Sequence, residues 1–166
     1  SAKNLYNSRV SFAELMRAAS GGRTRARAFA YVVKSEGVGG EAYREEGKGE
    51  ASFFEAMKNA GFELRQKDIQ IYPGGQKKAD WDVGMAIDAV RTAPSFDVAV
   101  LVTGDGDFIP LVEYLKWGLG KRVEVLGFSR TTSLKLKETV DSFRELEKVP
   151  KLLISIRGRR RDASAK

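Results

Sequence analysis

The sequence predicts a three-layer α/β sandwich around a mostly parallel, Rossmann-like sheet of four or five strands. Three observations carry that expectation. Helical and strand periodicities alternate along the chain, as they do in βαβ units. Residues 97–103 (DVAVLVT) are apolar almost without interruption, as in a strand buried on both faces. The segment Thr103-Gly104-Asp105-Gly106-Asp107-Phe108-Ile109-Pro110 then turns from that strand into a helix, where open α/β sheets hold their ligands.

The elements follow in order. Residues 11–19 (SFAELMRAA) set Phe12, Leu15, Met16 and Ala19 at helical spacing, ended by Gly21-Gly22. Residues 28–33 (AFAYVV) read as a strand, and a polar, glycine-rich loop is expected over 35–49. Residues 50–60 (EASFFEAMKNA) form a helix closed by Gly61, and a strand follows near 62–72. After Pro73-Gly74-Gly75 a helix is expected over 80–92, with Val83, Ala86, Ile87 and Val90 on one face. A helix over 108–117, a strand over 122–128 (RVEVLGF) and a last helix over 131–146 complete the alternation. Leu152–Ile156 (LLISI) reads as an edge strand or docked tail. The chain opens in a loop or helix, so the central strand with which such a sheet usually begins would precede Ser1.

Composition narrows the chemistry. At 166 residues, with 42% hydrophobic and 31% charged, the chain is of ordinary globular make-up and one-domain length. It has neither Cys nor His. That excludes disulfides, thiolate nucleophiles, cysteine zinc sites and every triad or acid–base pair built on imidazole. Catalysis must use carboxylates, Lys, Tyr, Ser/Thr, a metal or an outside cofactor. Of the net charge of +7, residues 151–166 carry +5, which reads either as a contact for phosphate backbones or as a solvated end. No apolar run reaches the roughly 18 residues of a membrane span, and the start lacks a secretory h-region. A cytoplasmic protein is expected.

Asp105 and Asp107, two residues apart on a glycine-rich turn, can converge on one hard cation that prefers oxygen ligands. Asp107 can also serve as a helix N-cap ahead of Pro110, whereas Asp105 has no such structural explanation in the sequence. Asp80 fits an N-cap, leaving Asp82 in the first turn and free to point at the same strand ends. Asp88 lies on another side of that helix and reads as surface or structural. Lys78 can meet a phosphate or remain an exposed lysine. Asn4 alone reads as a cap or turn residue.

Together these segments resemble the NYN domain of the PIN-like nuclease superfamily, in particular its bacterial LabA-like branch. The resemblance rests on Asn4-Leu5-Tyr6, on Lys78…Asp82-Val83, on the Thr-Gly-Asp-Gly-Asp-Phe turn, and on Val125-Leu126-Gly127-Phe128 with Thr131-Thr132-Ser133. It implies a domain over 1–148 with a basic extension over 149–166. It also implies an aspartate cluster holding Mg²⁺ or Mn²⁺ for RNA hydrolysis, with Asn4, Asp82, Asp105 and Asp107 as site residues and the three aspartates as metal ligands. Family members open with a strand ending in Asp-x-x-Asn; here Ser1 stands at that aspartate's position. In a 3-2-1-4-5 strand order the absent strand would neighbour 97–103 at the switch point.

The expected function is a metal-dependent ribonuclease, a hydrolase in which the metal activates water without any imidazole. The alternative is a non-catalytic RNA-binding or protein-interaction module of the same fold. Expected partners are RNA and a divalent metal, with no membrane and with homodimerisation left open. Lys78, Arg23, Arg25, Arg27, Arg159 and Arg160 are the candidate RNA contacts. Tyr6 and Trp81 are each read as packing residues before base-stacking ones.

Overall fold

The computed structural model describes residues 2–34, 41–68, 70–71, 77–78 and 81–155. Helix α1 (Ala2–Tyr6), strand β1 (Ser8–Val10) and helix α2 (Phe12–Ser20) come first. Ser11 caps α2 by accepting from Glu14 N, and Gly21 closes it at φ 56°. Strand β2 (Phe29–Lys34), helix α3 (Glu41–Asn59) and strand β3 (Glu63–Asp68) form a βαβ unit, with the two strands in parallel register from Phe29↔Glu63 to Lys34↔Asp68. Helix α3 thus begins inside the expected 35–49 loop. Strong helix formers such as Glu, Ala and Arg over 41–46 outweigh two glycines that cost about 1 kcal/mol each. Two-residue strands β4 (Gln70–Ile71) and β5 (Lys77–Lys78) pair antiparallel; the Pro73-Gly74-Gly75 turn lies outside the described residues.

Helix α4 (Asp82–Thr92) leads to strand β6 (Val98–Val102), and helix α5 (Ile109–Glu113) continues as a π turn before strand β7 (Arg122–Gly127). The expected helix over 131–146 is corrected. Helix α6 (Leu134–Thr139) is short, and Ser142–Glu145 forms strand β8, parallel to β7 from Glu124↔Ser142 to Gly127↔Glu145. Asp141 makes the switch: its N–H donates to Val123 O at 2.9 Å while its carboxylate accepts from Val123 N at 2.8 Å, which ties the chain to β7. Strand β9 (Leu153–Ser155) pairs antiparallel with β1, the edge-strand outcome for LLISI. Leu152 is fully buried beside it, so the packed body runs past residue 148.

Strand alternation builds the layers. Ala99 and Leu101 of β6 with Val123 and Val125 of β7 face one way, onto Leu111, Val112, Leu115 and Leu136. Val100 and Leu126 face the other way, onto Leu15, Ala18 and Ala19 of α2 and onto Leu146 and Leu152. Each fully buried Val or Leu here contributes about 1.5–3 kcal/mol. Helix α4 presents Met85, Ala86 and Ala89 to the first core; of the stripe expected from sequence Ala86 packs there, whereas Val83, Ile87 and Val90 are exposed, Val83 at 71% and Ile87 at 57%.

The parallel strands fall into two groups, β2–β3 and β6–β7–β8, and among the described residues no strand joins them. Helices bridge the break instead. On one face, α4 reaches β2 and β3, where Tyr31 and Arg65 bond Asp88 at 3.2 and 2.9 Å, as well as the β6–β7 core. On the other, α2 packs with both Phe62, just before β3, and Val100 of β6.

Candidate metal centre

The start of α4 fixes one edge of the centre. The Trp81 indole N–H donates to Val32 O of β2 at 3.0 Å, and its ring lies 5.4 Å from that of Tyr31. Trp81 is therefore a packing residue that seats Asp82, the first residue of α4, against the carboxyl half of β2. The other edge is the turn after β6. Asp105 caps a 3₁₀ turn over Gly106–Phe108 by accepting from Asp107 N at 3.0 Å. The sequence reading gave the capping role to Asp107; the tighter turn ahead of α5 gives it to Asp105. Thr103 Oγ1 in turn accepts from Asp105 N at 3.1 Å.

These local contacts bring Asp82, Asp105 and Asp107 together, each offering a carboxylate oxygen within 4.8 Å of the others. Asp105 and Asp107 are exposed and Asp82 is half-buried. The trio sits at the carboxyl end of β6, from two segments far apart in sequence. An oxygen-only, anionic donor set of this size suits a hard divalent cation such as Mg²⁺ or Mn²⁺.

The turn is held by close packing. A Cβ on Gly104 would lie 2.9 Å from Thr131 O, and one on Gly127 would lie 2.5 Å from Thr132 Oγ1 and 2.8 Å from Thr103 O. Glycine is needed at both because the 131–133 loop passes directly over the strand ends. Ser133 N donates to Gly104 O at 2.9 Å, tying that loop to the aspartate turn.

Asn4 is exposed on α1. Tyr6 packs on Phe128, ring centroids 5.4 Å apart, just after β7. Asp88 is structural: it takes Arg65, Arg91 and Tyr31. Burial alone would raise its carboxyl, but the hydrogen bonds from Arg65 and Tyr31 outweigh that and hold it below the usual range. The structure does not bring Arg23, Arg25 and Arg27 to the carboxylates, for they precede the amino end of β2. Arg23 grips Glu124 through two bonds of 2.9 and 2.8 Å, Arg27 pairs with Glu63, and the Arg25 guanidinium lies against Gly61. Asp80, the Lys78 side chain, Arg159 and Arg160 lie outside the described residues.

Two features escaped the sequence reading. Ser133 caps α6 and walls the aspartate turn; the sole available signal was a serine at a helix start. Glu124 is buried inside β7, where a carboxylate among apolar residues two positions after Arg122 (RVEVLGF) was a signal for a buried ion pair.

A parallel α/β sheet with an aspartate trio at its carboxyl end is the architecture of a nuclease-like domain. The NYN domain family model matches residues 2–147, and the chain belongs to that family, within the PIN-like superfamily. A crystal structure of a protein of unknown function from Vibrio parahaemolyticus is similar to this chain at 29% identity and a TM-score of 0.78, over 92% of this chain and 87% of that one. An aminotransferase structure from Clostridium difficile overlaps 75% of this chain and 32% of its own at 11% identity and a TM-score of 0.28, too slight to bear on fold or function. No curated protein matches the sequence. Among the described residues no helix is long and apolar enough to cross a membrane.

Proposed function

We propose that this NYN domain is a metal-dependent ribonuclease of the LabA-like kind, acting in the cytoplasm. The observation that carries the reading is the convergence of Asp82, Asp105 and Asp107 within 4.8 Å at the carboxyl end of a parallel strand. The three carboxylates would hold Mg²⁺ or Mn²⁺. Such an ion, when bound, lowers the pKa of a water and neutralises phosphodiester charge. The chain's own residues do the rest. Asp105 is oriented by Asp107 N, from which its carboxylate accepts, and by its own N–H, which donates to Thr103 Oγ1. Asn4 supplies an amide that can donate to a phosphate oxygen. Lys78, Arg159 and Arg160 supply the cationic grip on RNA. Arg23 and Arg27 are already paired with carboxylates and have less charge to offer.

The alternative reading is that the fold serves as a non-catalytic RNA-binding or protein-interaction module. One experiment separates the readings: a Mg²⁺ and Mn²⁺ titration with structured and single-stranded RNA. Cleavage that stops in EDTA supports the nuclease. Retained RNA binding with no cleavage at any metal concentration selects the module.

A further inference from the structure

We propose that the open cleft beside the aspartate trio is a ribose subsite in which the Thr103 and Ser133 hydroxyls bind a 2′-hydroxyl group of the nucleotide next to the cleaved bond. The cleft is shallow and open to solvent, and it is lined by Thr103, Gly104, Asp105, Gly106, Thr131 and Ser133. Two of its hydroxyls are oriented by the backbone. Thr103 Oγ1 accepts from Asp105 N at 3.1 Å, and Ser133 Oγ accepts from Leu136 N at 3.4 Å. Each therefore has its own O–H left to donate, since a hydroxyl is one donor and two acceptor sites. Thr132 shows the contrast: its hydroxyl turns away and donates to Phe128 O at 2.8 Å.

The lining narrows the ligand. Among the described residues that form it, Asp105 is the one ionised side chain. A group that accepts from the two hydroxyls and donates to the Asp105 carboxylate fits this lining, which a phosphate oxygen without a proton cannot do. The ribose 2′-hydroxyl is such a group, and it is what distinguishes RNA from DNA at a site. Because Asp105 belongs to both the cleft and the trio, a sugar seated there places its phosphate at the carboxylates. This inference rests on the nuclease reading for its orientation but not for its binding.

The test uses single-stranded oligoribonucleotides carrying one 2′-deoxy substitution, moved along the sequence. Cleavage is followed in Mn²⁺, and binding by fluorescence anisotropy in Ca²⁺. At one position the substitution is expected to weaken both by about tenfold, the size of one good hydrogen bond. Ser133→Gly, which keeps the helix start nearly as well as serine, should lose about as much on all-ribose RNA. It should also become indifferent to that substitution. Ser133→Thr, which restores a hydroxyl, should recover the sensitivity. A wild-type protein indifferent to every deoxy position overturns the proposal, as does a Ser133→Gly protein that keeps the sensitivity. Loss of binding on an uncharged methylphosphonate at that nucleotide, with every 2′-deoxy substitution tolerated, overturns it in favour of a phosphate subsite. If no RNA is cleaved in any metal the nuclease reading fails, and the binding arm still decides the subsite.

Discussion

Two carboxylate clusters of this molecule use the same chemistry for opposite ends. Toward the amino end of β7, Glu124 is 7% exposed and takes three arginines: Arg23 through two bonds, Arg122 at 3.0 Å and Arg144 at 3.5 Å. The Arg23 hydrogen bonds, against the penalty of burial and with help from Arg122, pull its pKa to about 2. At the carboxyl end of β6, Asp105 and Asp107 are exposed, and among the described residues no Lys or Arg pairs with either. A carboxylate surrounded by guanidinium groups cannot serve a cation. Acidic groups brought together without such partners repel one another unless a cation joins them. Neutralisation by arginine marks a tie that holds the fold; its absence marks a place where charge is left for a ligand.

The sharpest way to break this comparison is to remove one charge from each cluster. Asp105→Asn keeps an acceptor for Asp107 N, so the turn should hold and stability should change by no more than about 0.5 kcal/mol. Cleavage of RNA in Mn²⁺ should fall by about 10³-fold, and stabilisation by Mn²⁺ in thermal melts should shrink with it. An Asp105→Asn protein that melts well below wild type while still cleaving would make the trio a structural feature.

Glu124→Gln should behave the other way round. It leaves three arginines without their carboxylate, at a cost of about 3 kcal/mol. The melting temperature should drop by about 6–12 °C, measured by differential scanning calorimetry. Its metal response should persist at temperatures where it remains folded. Unchanged stability would mean that the arginines find water as good a partner as Glu124.

A pH series sharpens the same contrast with a smaller effect. Glu124 is depressed in the fold from its ordinary 4.5 to about 2. Its contribution to stability is thus fully present above about pH 4.5 and disappears as the pH falls toward 2. Asp88 and Asp141 are held below their usual values too and act in the same direction. Denaturant unfolding in steps below pH 4.5 should show wild-type stability falling more steeply than that of Glu124→Gln. Parallel curves for the two proteins would place the acid sensitivity elsewhere.

Much of this was legible in the sequence because it is local. The apolar run over 97–103 and the strand over 122–128 are β6 and β7 almost to the residue, since continuous burial on two faces leaves an unmistakable pattern. Asp105 and Asp107 stood out because a glycine precedes each of them in so short a turn. The errors lie where tertiary contact overrides periodicity. Ser142–Glu145 carries no strong β pattern and becomes β8 because Asp141 hooks onto Val123 and a free edge of β7 lies alongside. The buried side of α4 differs from the expected stripe at Val83 and Ile87, which are more apolar than the buried Ala89, because hydrophobicity alone does not say which side meets the sheet.

The sequence by itself determined the class of the fold, the absence of imidazole and thiol chemistry, and the acidic turn after the buried strand. Those follow from residue identity and short-range periodicity, which need no knowledge of distant neighbours. Only the tertiary structure decided that Asp82 meets Asp105 and Asp107, that Arg23 turns to Glu124, and that helices α2 and α4 span a break between two groups of strands. Each of those is a meeting of segments far apart along the chain, set by which faces the helices bury. That choice belongs to the packing of the whole molecule, because no single segment can bury its apolar face alone.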